Sequence, residues 1–169
     1  MPERTLTTRH LNRALLARQL LLERADLPIP EAISRIGGLQ TQYAPSGYVG
    51  LWTRLAGFRR DALTTALEDR SVVQATLMRT TIHMVPGDEF WRYVAGIRHS
   101  RQVWALRAWR DLDEPTMVER AVALRATLAD GPKTVKELGD QGAGFIGNLG
   151  LWVDLVRIPP SGTWERRRA

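Results

Sequence analysis

Twice within its 169 residues the chain spells helices followed by a strand, a turn and a second strand, and few architectures accommodate that order. In the first pass, Leu11–Arg24 carries leucines and alanines at helical spacing, with Arg13, Arg18 and Glu23 on its polar positions, and the periodicity predicts a helix. Pro28 and Pro30 close the turn after it, 31–37 reads as a short second helix stopped by Gly37-Gly38, and 46–56 reads as a third. Two short helices about a turn, behind a longer support helix, make a helix-turn-helix pattern; a small helical bundle fits the same pattern. A fourth helix over 60–70 gives way to 71–77 and 80–85, which are β-branched and partly alternating and lie where a wing would. Pro86-Gly87 ends that hairpin. Asp88 is placed to cap a helix running through Phe90, Trp91 and Val94 toward Arg107, with a break near Gly96.

The second pass is more compact. A helix over 116–129 leads through Asp130-Gly131-Pro132 to a short helix over 134–139, and a further helix covers 145–155. Val156-Arg157-Ile158 then reads as a strand, Pro159-Pro160-Ser161-Gly162 as a turn and Thr163-Trp164-Glu165 as the return strand. The expected fold class is mainly α with short β-hairpins, arranged as tandem winged-helix (helix-turn-helix plus wing) units over 1–110 and 111–169.

An apolar content of 44% and a mean hydropathy of −0.24 suit a globular chain with a buried core. No apolar run is long enough to cross a bilayer, and Met1-Pro2-Glu3-Arg4-Thr5 does not begin a secretory leader, so a cytoplasmic, nucleoid-associated protein without membrane contact is expected. The absence of cysteine excludes disulfides, thiol catalysis and cysteine-bound zinc. The three histidines, His10, His83 and His99, have no metal-ligand spacing, so neither metal nor cofactor is expected.

The net charge of +6 and pI near 10.6 fall in the range of nucleic-acid binders. The excess is N-terminal: residues 1–60 hold nine basic and four acidic groups. Only Lys133 and Lys136 are lysines. Arginine suits bidentate phosphate contacts, although a GC-rich genome produces the same bias. Arg9, Arg13, Arg35, Arg54, Arg59 and Arg60 are therefore the expected contacts to double-stranded DNA, largely independent of sequence.

Three segments, Gly38-Leu39-Gln40-Thr41-Gln42-Tyr43-Ala44-Pro45 with Gly50-Leu51-Trp52, Met78-Arg79-Thr80-Thr81-Ile82-His83, and 155–164, together resemble the AlkZ/YcaQ-type winged-helix DNA glycosylases. The resemblance covers almost the whole chain. It implies a catalytic motif of two polar residues around one usually apolar residue, which falls here on Gln40 and Gln42, with the more polar Thr41 between them. Members are typically much longer, so the second unit is expected to be truncated, leaving an uncovered C-terminal strand edge through which the chain would self-associate.

The implied chemistry is hydrolysis of the N-glycosidic bond of N7- or N3-alkylated purines, in DNA repair or genotoxin self-resistance. Glutamine is too weakly basic to deprotonate water but holds it by accepting and donating hydrogen bonds. That suffices for a cationic purine, which departs as a neutral base without a protonating acid. On a continuous helix the two amides would lie about 200° apart, so a shared site requires irregular backbone after Gly37-Gly38. Tyr43 and Tyr48 are expected to reach a flipped base, Arg79 a phosphate, and His83 the backbone or a core hydrogen bond. Trp52, Trp91, Trp104, Trp109 and Trp152 read as core anchors. Without the resemblance, glutamines at such a turn read as phosphate or adenine contacts, leaving a non-catalytic DNA binder or transcriptional regulator, or a truncated interaction module, as alternatives.

Overall fold

The computed structural model describes residues 5–109, 113–139 and 150–165. Six helices and three short strands follow in the order α1 (Thr8–Arg18), α2 (Ile29–Ile36), β1 (Leu39–Gln40), α3 (Ala44–Trp52), α4 (Arg60–Glu68), β2 (Val72–Thr76), β3 (Ile82–Pro86), α5 (Phe90–Ala108) and α6 (Glu114–Thr127). The fold is mainly helical with one small antiparallel sheet, whose strand order is β1-β3-β2.

Local chemistry accounts for the helix ends. Thr7 caps α1 by accepting from the His10 N–H while the His10 ring reaches back to the Thr7 N–H. The helix stops at Arg18, short of the expected Arg24, where Leu20 turns into the left-handed region at φ 55°. Proline starts the next two helices: Pro28 and Pro30 flank the start of α2, and Pro45 lies in the first turn of α3, which therefore begins earlier than 46. The helix α5 runs unbroken past Gly96, and Glu89, not Asp88, stands at its N-cap.

The sheet separates two cores by its period-two alternation. Val72 and Met84 face Ile33, Leu51, Leu63 and Leu67 of the helices α2 to α4. Val73, Ala75 and Val85 face Phe90 and Val94 of α5. A third cluster joins Met117, Ala121 and Leu124 of α6 to Leu138 and Val153.

The second hairpin does not form in the described residues. The 134–139 segment is turn with no regular helix, and 150–155 is turn and bend; the rest of the helix expected over 145–155 lies outside the described residues. Val156–Ile158 makes a single antiparallel bridge, in which the Arg157 N–H donates to the Gln74 carbonyl at 2.7 Å, and Thr163–Glu165 is not a strand. The segment pairs with the outer edge of β2 instead of with itself, because the first sheet offers it an open ladder and a place for Trp164 against Tyr48, ring to ring at 5.7 Å. Among the described residues, the final strand expected from the sequence is thus absent.

Candidate active site

Gln40 ends a strand that periodicity does not reveal, and Gln42 lies in the bend just after it. Gly38, at φ 92°, leads the chain into β1, where Leu39 pairs with Met84 and Gln40 with His83. The Thr41 N–H donates to the Ile82 carbonyl at 2.8 Å. By antiparallel alternation Gln40 and His83 are then a non-hydrogen-bonded pair, the kind with the closer side chains, on the face toward α5.

Thr41 points the opposite way and is fully buried, with its hydroxyl accepting from Gln74 Nε2 at 3.3 Å. This resolves why a polar residue stands between the glutamines: Gln74, buried in the middle of β2, needs a partner there. The Gln74 Oε1 has no partner among the described residues and sits against the Gly162 backbone.

Gln40 and Gln42 are both exposed, yet they are not equivalent. Gln42 Oε1 accepts from the Ile82 N–H at 3.1 Å, acting as a side-chain substitute in the β1–β3 ladder. Its NH2 group keeps its donors. Among the described residues Gln40 has no such bond and keeps both ends of its amide.

His83 is 9% exposed. Its Nδ1 lies 3.0 Å from the Thr81 carbonyl, which can only accept, a contact that favours the neutral tautomer with its proton on Nδ1 and its acceptor at Nε2. Burial pushes its pKa below the ordinary histidine value; the Thr81 carbonyl pulls it back and the Arg101 guanidinium lowers it further. Arg101, on α5, donates from Nη1 to the Thr76 carbonyl at 3.0 Å, while its buried Nε and Nη2 have no partner among the described residues.

A family model described as DNA glycosylase AlkZ-like matches residues 33–168. The chain belongs to this family. No curated protein and no solved structure matches it in the corresponding comparisons. Among the described residues of this AlkZ-like chain, no helix is long and apolar enough to cross a membrane, and no cluster of three or more His, Asp or Glu side chains could hold a metal ion.

The remaining residues expected at the DNA divide by placement. In this AlkZ-like chain Tyr43, next to Gln42, is 53% exposed, and Arg79 is exposed at φ 54° in the tip between β2 and β3. Arg9 and Arg13 project from α1, a helix with no buried residue. Arg35 is paired with Glu31 at 2.8 Å, Arg59 with Asp61 at 2.9 Å, and Arg60 approaches Glu165 at 3.7 Å and the Trp164 ring at 5.9 Å.

Two residues are corrected. Tyr48 is 2% exposed, a core residue whose hydroxyl bonds Thr64 at 3.0 Å, and it offers no ring face to a base. Arg54 turns inward, donating to the carbonyls of Gln19 at 2.9 Å and Gly50 at 2.8 Å, and so ties the segment after α1 to α3. Neither inward turn is visible in a sequence, because Tyr and Arg have apolar bodies and polar tips that suit either side of a surface.

The tryptophans are corrected in the other direction. Trp52, Trp91, Trp104 and Trp109 are exposed, Trp52 beneath the Arg24 guanidinium at 4.7 Å, whereas Trp152 packs against the third core cluster. Sequence reasoning passed over Gln74 and Arg101. A glutamine inside the apolar run Val72-Val73-Gln74-Ala75 was a usable signal, since buried polar residues are the informative exceptions; Arg101 gave none.

Proposed function

We propose that this chain is a monofunctional DNA glycosylase that hydrolyses the N-glycosidic bond of N7- or N3-alkylated purines in double-stranded DNA, with Gln40 and Gln42 holding the attacking water. The observation that carries this reading is the setting of the pair at the end of β1: two exposed amides flank a buried Thr41, and both adjoin the start of β3. Family membership supplies the reaction class.

In this reading the order α2-β1-α3-α4-β2-β3, with strand order β1-β3-β2, is a winged helix within the 1–110 unit, and Arg79 at its wing tip contacts phosphate. The flipped nucleotide lies over the β1–β3 edge beside Tyr43. Gln40, free at both ends, accepts a hydrogen bond from the water. The Gln42 NH2 donates to it and helps fix its direction toward the anomeric carbon. A cationic alkylpurine needs no acid to leave, and neither amide supplies one.

Release of N7-methylguanine from alkylated duplex DNA tests the reading. Gln40→Ala is expected to slow release by about tenfold or more, equivalent to about 1.4 kcal/mol in the barrier, without weakening DNA binding, since the amide carries no charge. A wild-type rate in that variant contradicts it. The engagement of Gln42 in the ladder favours a second reading, a DNA-binding protein in which that glutamine is structural. An unchanged rate in both single variants, with salt-dependent DNA binding intact, selects it.

A further inference from the structure

The proposed reaction leaves one proton without a destination. Water adds to the anomeric carbon, the electron pair of the glycosidic bond returns to the purine nitrogen, and the cationic base leaves neutral, so the water's proton must go to another group. Neither amide can take it. Of the residues on the three strands, only His83 carries a side-chain base; no Asp or Glu stands on any of them.

We infer that His83 is the proton acceptor, taking a proton through Nε2 from the water that the Gln40 amide holds across the β1–β3 pair. The inference rests on the proposed glycosylase reading and adds a residue to it. Three observations support it. Gln40 and His83 are direct cross-strand neighbours in the close, non-hydrogen-bonded class. The Thr81 carbonyl claims the Nδ1 proton, which orients the ring and leaves Nε2 basic. The groups flanking the ring on β1 and β2, Gln40 and Ala75, are uncharged, and among the described residues the charged group acting on it is Arg101 from α5.

Arg101 and burial act in the same direction, keeping the imidazole neutral, and therefore able to accept, across the neutral range. Among the described residues, two buried donors of the charged Arg101 guanidinium have no hydrogen-bond partner. Once protonated, His83 is repelled by that charge and returns the proton to solvent, which resets the site. Arg101 is thus a positioning residue for the charge state, not a group that touches the substrate.

The test combines kinetics and spectroscopy on the full chain. With N7-methylguanine duplex DNA, corrected for spontaneous release, the wild-type rate should be level above neutrality and fall only at a pH below the ordinary histidine range. His83→Gln should slow release about a hundredfold and abolish that acid limb. Arg101→Met should move the limb to higher pH, a shift that a purely structural arginine would not produce. Independently of turnover, imidazole 15N shifts of the wild-type chain should report the Nδ1-protonated neutral ring and a depressed pKa. A ring protonated at Nε2 overturns the inference, as does an unchanged rate and limb in His83→Gln while Gln40→Ala slows release. No release by the wild type removes both this inference and the reading beneath it.

Discussion

Removing the Gln42 side chain leaves the part-buried Ile82 N–H without its acceptor, whereas removing Gln40 leaves no unmet group. Gln42→Ala should therefore lower unfolding stability by about 1–2 kcal/mol in a urea titration, with Gln40→Ala within about 0.5 kcal/mol of wild type. Equal effects would show that the two amides occupy equivalent settings. His83 adds a pH dependence of known sign. Its folded pKa lies below 6.5, so the unfolded chain binds the proton more readily. The stabilisation is complete above 6.5 and is lost as pH falls from there through the folded pKa. In His83→Gln the urea midpoint should lose this part of its acid sensitivity. Gly162 combines φ 77° with a Cβ position already filled by the Gln74 side chain. Gly162→Ala should cost about 2 kcal/mol or more, read by the same titration. At this scale the sequence singled out Gln40 and Gln42 as a pair. That Gln42 alone of the two bonds the Ile82 N–H was not legible, since it depends on which backbone N–H lies opposite.

Among the elements, the long periodic helices and the β2–β3 hairpin could be read directly, because each extends over enough residues to express its period. The strand β1 could not: two residues, Leu39 and Gln40, contain no alternation to detect, and only the partner strand defines them. The final segment misled for the opposite reason. Val156-Arg157-Ile158 and Thr163-Trp164-Glu165 have local hairpin chemistry, but the open edge of β2 competes for the same backbone groups and prevails at Arg157. The break expected at Gly96 is likewise absent. That glycine lies exposed in the middle of α5, with open space for 4 Å around the point where a Cβ would stand, so Gly96→Ala should raise stability by about 0.5–1 kcal/mol. A loss of stability there would mean that the helix bends at this point in solution.

For the whole molecule, the net charge of +6 supports a sequence-independent attraction to duplex DNA, but the pairing pattern narrows which arginines supply it. Arg9, Arg13 and Arg79 are exposed and are the arginines proposed to contact phosphate, whereas Arg54 is committed to backbone carbonyls. In a salt titration of duplex binding, Arg79→Ala should reduce the log–log slope by about one. Arg54→Ala should leave the slope unchanged and lower stability. The central claim concerns chemistry, and one measurement reaches it: the single-turnover rate of N7-methylguanine release from duplex DNA by the wild-type chain and by Gln40→Ala. Release well above the spontaneous rate is expected for the wild type, with a loss of about tenfold or more in the variant. Release at the spontaneous rate by the wild type, or equal rates for the two proteins, would contradict the claim.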